Sequence, residues 1–579
     1  MTILTSLSND PRQLRKETVR KMESSSKRHR SHSLMDAIEL AGFTEKAMVD
    51  GESDLSCLDN KERVVLLGFI GQNVDRTDTF RSLSSAALAL QGTGFSDVDK
   101  LSAPHGRVFP IVNTKDLYVR KAYKELYKTI LETFEDRRNE VQKQVVVTGT
   151  SGIGKSAFLV YFTIRLLAES NDDDPPIIIF HTKGGSECFV FGGRSTVRSG
   201  DIDTFKPFLN LSDTWYFADS SPSPALKGAK TVISVSPKTL FSEAQQYQDI
   251  DKEVEWRYYM APWSLEELKM CWARVEGFQV VPLDMAEELY SMIGGVPRYV
   301  LEKPMKVLNR LHNDRFNDHR RAKDEACERL VQALDKVKDP VMLMQCFSHG
   351  KDSLEFSSRL IHRWPTDDHS SFRLEWASTY VTEKVAALLS QDACDRMLDR
   401  LIREPNGSAS GIMFEAYILR AFREGGHAFE IKNLETGGLA SLEIPRNPKT
   451  EHFDKITSVP AGTLCIPKIC NYACVDLLLA PRDLFQITVS DNHPIKGAPL
   501  SNLLKSLTQA GWDSSKELRL IFVVPGRVYA DFKKQNYLTS EGTAYKTIPA
   551  DIQRVTQYVL KIDLESAASG KSLGLPALP

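Results

Sequence analysis

Gly149-Thr150-Ser151-Gly152-Ile153-Gly154-Lys155-Ser156 fits the pattern G-x-x-x-x-G-K-[ST]. A glycine loop running into a helix N-terminus points successive N–H groups and the helix dipole at an anion. Small residues let a phosphate come close. Lys155 is placed to reach the β- and γ-phosphates of a nucleoside triphosphate, and the Ser156 hydroxyl to hold Mg²⁺. The chain is therefore expected to bind ATP with Mg²⁺. Such a site also needs an acid at the end of a second strand, and Thr214-Trp215-Tyr216-Phe217-Ala218-Asp219 is an apolar run ending in one. Many ATPases follow that acid with a glutamate that polarises water; here Ser220 follows, which leaves the rate of hydrolysis open. Ser236, closing Thr231-Val232-Ile233-Ser234-Val235, and Arg298, in Gly294-Gly295-Val296-Pro297-Arg298, are candidate γ-phosphate sensors. The plainer readings are a strand-ending turn and a glycine-closed helix end.

A second group lies near the C-terminus. Gly411 to Phe422 reads as a helix closed by Gly425-Gly426, with Glu415 on the rim of its apolar stripe. Cys474 to Ala480 and Leu484 to Val489 read as two strands of a hairpin joined by Pro481-Arg482-Asp483, carrying Asp476 and Gln486. A helix Glu, a strand Asp and a polar pair on the next strand make the layout of restriction-endonuclease-like nucleases, whose carboxylates hold Mg²⁺. Gln486-Ile487-Thr488 stands where Glu-x-Lys is expected, so one acid and the lysine are missing. The carbonyl of Gln486 can still ligate Mg²⁺, and Lys496 or His493 is the candidate for the missing positive or proton-shuttling group. A plain α/β domain without chemistry is the competing reading.

The elements that must position these groups follow from periodicity. Gln144-Val145-Val146-Val147-Thr148 reads as a buried strand before the glycine loop, and Ala157 to Leu167 as a helix after it. Leu117, Val119, Ala122, Tyr123, Leu126, Tyr127 and Ile130 predict a helix over 116–140. Alternating strand and helix signals to about 245 predict an α/β domain with a mostly parallel sheet. The divisions expected are a poorly defined basic N-terminal region at 1–104 and an NTPase core at 105–263. A helical lid at 264–348 and a helical connector at 349–400 come next, then a second α/β domain at 401–565 and a flexible tail at 566–579.

The 579 residues exceed one core and suggest several domains. A net charge of −2 argues against a generally basic nucleic-acid coat but permits a local basic groove. No apolar run approaches the ~20 residues of a membrane helix, and Met1 to Leu7 lacks the form of a standard secretory signal. Nine scattered cysteines suggest reduced thiols inside a cell; Cys465, Cys470 and Cys474 read as buried thiols rather than a metal site. Lys27-Arg28-His29-Arg30 reads either as a nuclear-import signal or as part of a solvated tail. The oligomeric state is not legible.

Several stretches together resemble one family: Val119-Arg120-Lys121-Ala122-Tyr123, the glycine loop, Ser236-Pro237, Met260-Ala261-Pro262-Trp263-Ser264, Gly294 to Arg298, Phe485 to Ser490, His493-Pro494-Ile495-Lys496 and Phe522-Val523-Val524-Pro525. Over roughly 105–540 the chain resembles the Crinkler (crinkling- and necrosis-inducing) effectors and the related retrotransposon hot spot proteins. Their large members couple a P-loop NTPase to a restriction-endonuclease-like domain. The resemblance implies a protein acting on DNA, often in a nucleus, with Glu415, Asp476 and Gln486 at the nuclease-like site. The family's Leu-Phe-Leu-Ala-Lys header is not seen near Met1, so intracellular residence and delivery to a host both stay open. The expected function is an ATP-binding module controlling a Mg²⁺-dependent nuclease-like domain. The alternatives are a nucleotide-controlled switch that binds DNA or protein without cutting, and a signalling NTPase with a protein-binding C-terminus.

Overall fold

The computed structural model describes residues 55–568 apart from 57, 93, 96, 137–142, 184, 221–223, 237–253, 255, 311–314, 338–358, 389–390, 404–408, 469–473 and 513–516. The basic run at 27–30, Pro237, Cys470 and the tail at 569–579 lie outside the described residues. The chain divides into two compact units, Met1–Val280 with Trp364–Phe372, and Val281–Arg363 with Arg373–Pro579. The helical stretch expected at 264–348 is thus shared between them.

The first unit is built on a sheet of eight strands: β1 (Gln72–Asn73), β2 (Gln144–Thr148), β3 (Ile177–His181), β4 (Glu187–Gly192), β5 (Thr196–Asp201), β6 (Trp215–Asp219), β7 (Lys230–Ser234) and β8 (Trp256–Tyr259). Their spatial order is β1-β5-β4-β3-β6-β7-β2-β8. From β3 to β8 every pairing is parallel. The runs Val145-Val146-Val147 and Ile177-Ile178-Ile179-Phe180 are buried throughout, as strands covered on both faces must be. The far edge departs from the expected parallel sheet: β4 pairs antiparallel with β3 and β5. Gly193, at φ 56°, lets β4 turn directly back into β5 where a crossover helix would need far more chain.

Helix α1 (Lys121–Glu135) buries Ala122, Tyr123, Leu126, Tyr127 and Ile130. It begins later than its apolar spacing predicts, because Asp116–Tyr118 is a strand and Arg120 is the extended N-cap. Helix α2 (Lys155–Glu169) follows the glycine loop, and α3 (Leu265–Arg274) opens on a capping box between Ser264 and Glu267.

The second unit begins with α4 (Leu283–Ile293) and α5 (Arg315–Asp335); strands β9 (Ile361–Pro365) and β10 (Phe372–Trp376) straddle the division at Trp364–Phe372, and helices α6 (Thr379–Leu388), α7 (Gln391–Arg403) and α8 (Ser410–Glu424) follow in the second unit. The stretch 349–400 is therefore not wholly helical as expected. Phe372-Arg373-Leu374-Glu375-Trp376 alternates with period two, which is a strand pattern. The second sheet holds β11 (His427–Asn433), β12 (Leu439–Ile444), β13 (Thr450–Phe453), β14 (Leu464–Pro467), β15 (Leu477–Leu479), β16 (Asp483–Ile487), β17 (Leu518–Pro525) and β18 (Val555–Ile562). Their order is β12-β11-β18-β17-β16-β15-β14-β13. Its centre, β16-β17-β18, is parallel and β15 runs antiparallel to β16. Leu500, Leu503, Leu504 and Leu507 of α9 (Gly497–Gln509) share a core with Leu484 and Phe522.

Gly294 shows why its motif begins with glycine. Its φ is 76°, and an added Cβ would strike the Ala377 carbonyl oxygen and the ring of His362. His362 is 1% exposed and its Nε2 has no hydrogen-bond partner. Burial lowers its pKa from 6.5 to about 3. Between those values the unfolded chain binds a proton that the folded chain refuses, so stability is full above about pH 6.5 and falls as the pH drops towards 3. His362→Leu is expected to remove this penalty, about 2 kcal/mol at pH 5. The difference in melting temperature between pH 8 and pH 5 should shrink in the variant; an unchanged difference would refute the assignment.

Candidate functional site

In the first unit the glycine loop joins β2 to α2 as the sequence predicts. Gly149, Gly152 and Gly154 have φ of 140°, 90° and 101°, and Gly154 is the N-cap of α2. A Cβ on Gly149 would meet the Met260 carbonyl oxygen at 2.6 Å, and one on Gly154 the Tyr123 hydroxyl. The glycines are thus demanded by both backbone conformation and close approach. Thr150, Ser151 and Ile153 complete the loop, with Thr150 and Ile153 buried. Lys155 turns its ammonium onto the mouth of the loop and donates to the carbonyls of Gly149 (2.7 Å) and Thr150 (2.9 Å).

Asp219 closes β6, which is separated from the glycine-loop strand β2 by β7 alone. The Ser156 hydroxyl donates to Asp219 Oδ1 at 2.8 Å, so the two residues expected to share a metal already meet. Burial pushes Asp219 above the usual carboxylate range; hydrogen bonds from Ser156 and Ser234, and the charges of Lys155 and Lys183, oppose it. Ser234, opposite Asp219 in the β6–β7 register, is the hydroxyl that contacts this acid. Ser236 lies two residues beyond the end of β7. Ser220 adopts φ 51° with its N–H on the Ser234 carbonyl at 2.8 Å, a left-handed turn fixed directly beside the acid. Arg298 is exposed and belongs to the second unit.

The second unit brings together two of the three predicted acid-site residues and adds one that the sequence did not reveal. Glu415 is half-buried on α8, which is seated on the sheet by Phe422 against Phe485, ring centroids 5.1 Å apart. Asp476 lies just before β15, where the ladder with β16 loses step. Its N–H bonds to the Phe485 carbonyl at 2.8 Å, and its carboxylate takes the Ile487 N–H at 2.6 Å in place of a main-chain acceptor. The acid is therefore fixed at the point where β15 and β16 part, at the C-terminal edge of the parallel strands. Burial, then Asp476, then Glu375 push the carboxyl of Glu415 up; burial and Glu375 do the same to Asp476, against the Ile487 bond. Glu375 of β10 thus acts on both acids through its charge.

Gln486, one step beyond the Leu477–Phe485 pair, is 6% exposed and leaves its Oε1 buried without a hydrogen-bond partner. Thr488 is buried at the strand end, its N–H on the Val523 carbonyl and its hydroxyl accepting from Ser490 N–H at 3.1 Å. Lys496 is exposed at the N-cap of α9. His493 is half-buried with its N–H on Gln535 Oε1 at 2.7 Å, and burial with Arg373 lowers its pKa to about 4, so it is neutral at pH 7.

Among the described residues no three His, Cys, Asp or Glu side chains are grouped closely enough to hold one metal ion. Mg²⁺ does not require such a cage: it keeps several waters and is bound through one or two carboxylates plus phosphate oxygens. Glu415 and Asp476 fit the carboxylate part of that smaller donor set. Cys465 and Cys474 are buried free thiols, raised to about 11 and about 12 by burial, which agrees with the reading as core residues. Among the described residues no helix is long and apolar enough to cross a membrane.

No family model matches the chain. Crinkler effector protein 15 of Phytophthora infestans is 25% identical over 462 residues, covering 76% of this chain and 68% of the relative. Crinkler effector protein 16 of the same organism is 25% identical over 466 residues, with the same coverage. The chain is Crinkler-like. A solved RuvB structure from Thermotoga maritima matches 43% of this chain and 90% of its own at 13% identity, with a TM-score of 0.23.

The stretches that carried the Crinkler resemblance now have physical roles in the first unit. Arg120 is fully buried and donates to the carbonyls of Ile153 (3.5 Å), Ala261 (2.9 Å) and Pro262 (3.0 Å) and to Glu267. Its guanidinium lies 4.6 Å from the Trp263 ring centroid. Trp263 Nε1 donates to the Ile153 carbonyl at 2.7 Å, and the Tyr123 hydroxyl to the Gly154 carbonyl at 2.9 Å. In the Crinkler-like chain these residues hold the back of the glycine loop.

Proposed function

We propose that the chain is an effector-type protein in which a P-loop module binds ATP with Mg²⁺ and controls a nucleic-acid-directed, divalent-cation-dependent site in the second unit. Support for the first half is the glycine loop with Lys155 over its mouth and Ser156 bonded to Asp219. In that site the loop N–H groups bind and orient the phosphates, and Lys155 transfers from loop carbonyls to phosphate oxygens. Ser156 and Asp219 would hold the metal, which supplies charge neutralisation when bound.

The observation that carries the second half is the meeting of Glu415 and Asp476 where β15 and β16 part. Like charges in a half-buried place repel and resist ionisation, and a divalent cation relieves both costs. Glu415 and Asp476 would hold that ion, and a phosphodiester of DNA is the partner such a site fits.

Plasmid DNA with Mg²⁺ should be nicked or cut by the wild type, and Asp476→Ala should lower that rate at least a hundredfold, on the order expected for removing a principal transition-state stabiliser. Equal rates, or no cleavage by either protein, would exclude the nuclease. Gln486-x-Thr488 in place of an acid and a lysine favours a second reading, a nucleotide-controlled switch that binds DNA without cutting. It predicts DNA affinity that differs between ATP and ADP with the DNA left intact.

A further inference from the structure

We infer that the hairpin of β9 and β10 carries the nucleotide state of the glycine loop to the acid-bearing helix α8. The inference rests on the proposed ATP site and names the element through which that site acts on the second unit. The chain passes from one unit to the other at 280–281, 363–364 and 372–373, so two of the three crossings lie in this hairpin. Its tip, Trp364–Phe372, goes with the first unit and its feet with the second. The Thr366 N–H donates to the Ser371 carbonyl at 3.0 Å near the tip, and the Ala377 N–H to the Leu360 carbonyl at 2.8 Å at the feet. A two-stranded hairpin is marginal by itself, so what each end grips decides what it can transmit.

The tip grips the strand beside the glycine loop. Tyr259, the last residue of β8, donates its N–H to the His369 carbonyl at 2.8 Å, and the His369 Nδ1–H donates to the Tyr259 carbonyl at 3.1 Å. The Phe372 ring lies 4.6 Å from that of Tyr259, centroid to centroid. His369 is buried and holds φ 60°, a conformation that persists outside glycine only where neighbours fix it. One residue further, the Met260 N–H donates to the Thr148 carbonyl at 2.8 Å, and the Met260 carbonyl lies so close to Gly149 that a Cβ there would meet it. A ligand moves an equilibrium only through contacts that differ between its states. Gly149 supplies that difference, since its carbonyl holds Lys155 until phosphate takes the ammonium away.

The feet grip the helix of the second site. Trp376 is fully buried, and its indole N–H donates to the Ile412 carbonyl at 2.9 Å, one helical turn before Glu415. The Ser378 hydroxyl donates to the Met292 carbonyl at 2.5 Å, and the Ala377 carbonyl is packed against Gly294. A Cβ on Gly411 would lie 3.7 Å from Val489 Cγ2, so the first turn of α8 borders the strand end that Asp476 holds through Ile487. A shift of Trp376 therefore reaches both acids by way of α8, because close-packed groups pass displacement on. The competing role is passive: a hairpin that adds contacts to each unit and leaves α8 indifferent to nucleotide.

The test follows amide hydrogen exchange over 410–424 in the full chain, with and without saturating Mg²⁺ and adenylyl imidodiphosphate, an ATP analogue that is not hydrolysed. Binding is measured separately by displacement of fluorescent ATP. In the wild type the analogue should change exchange in this helix about fivefold or more, the lower end of ordinary coupling between sites. Phe372→Ala at the tip and Trp376→Phe at the feet should each bind the analogue and lose most of that response. Trp376→Phe is the sharper of the two, because it keeps an aromatic ring in the core while removing the N–H that reaches Ile412. Exchange in β17 and β18 checks that each variant is folded. If either folded variant responds as the wild type does, or the wild type binds the analogue with no change in α8, the hairpin is not the route and the nucleotide site stands. If the wild type does not bind the analogue at all, the nucleotide site falls, and this inference with it.

Discussion

Lys155→Ala should lower ATP affinity roughly a hundredfold to a thousandfold, or about 3–4 kcal/mol, the scale of a removed charge-bearing donor in an enclosed anion site. The expectation has a structural basis beyond the motif. The Lys155 ammonium is already held over the loop by the carbonyls of Gly149 and Thr150, so little reorganisation is needed when phosphate arrives. Gly154→Ala should fail similarly for a different reason, since φ 101° is strained for alanine and its methyl would strike the Tyr123 hydroxyl. Asp219→Asn should behave differently again. Its loss should appear with Mg²⁺ present and largely vanish with chelator, because Asp219 meets Ser156 rather than the loop N–H groups. Fluorescent ATP titrations with and without Mg²⁺ separate the three, and a Lys155→Ala variant with wild-type affinity would remove the nucleotide site altogether.

What the sequence disclosed and what it hid divide along a physical line. The glycine loop is legible because its chemistry sits in contiguous residues whose conformations are demanded by φ and close approach. Asp219 is legible because a buried parallel strand writes itself as an apolar run, and an acid ending it is conspicuous. Glu415 and Asp476 could be read for the same local reasons, though β15 is shorter than expected and Asp476 acts from just outside it. Glu375 could not be read, since only the docking of Trp376 on Ile412 places it near Glu415. The alternation from Phe372 to Trp376 was the available signal: it announces a strand, but not what that strand approaches. Arg298 illustrates the converse, a residue of promising type whose motif is explained at its other end, where Gly294 closes on Ala377 and His362.

Arg120→Met should be the most destabilising single change in the first unit, costing about 3–5 kcal/mol. The guanidinium is wholly buried, and its removal would take the donor from the carbonyls of Ala261 and Pro262 and the buried counter-charge from Glu267, leaving the Ile153 carbonyl to Trp263 Nε1 and Glu267 to the Ser264 N–H. Arg120→Lys should recover only part of this, because an ammonium keeps the charge but cannot fork across that many acceptors or lie flat on the Trp263 ring. Tyr123→Phe, which removes one bond to the Gly154 carbonyl, should cost about 1 kcal/mol. The unit should melt roughly ten degrees lower in Arg120→Met, given 2–4 °C per kcal/mol for domains of this size. Saturating ATP should restore part of the loss by mass action wherever binding survives. Since the same guanidinium grips Ile153 inside the loop, ATP affinity and stability should fall together in Arg120→Met, whereas Lys155→Ala should lose affinity and keep its melting temperature. Two variants that lost both properties to the same extent would show that the loop is not held from behind by Arg120 but stands or falls as one piece with Lys155.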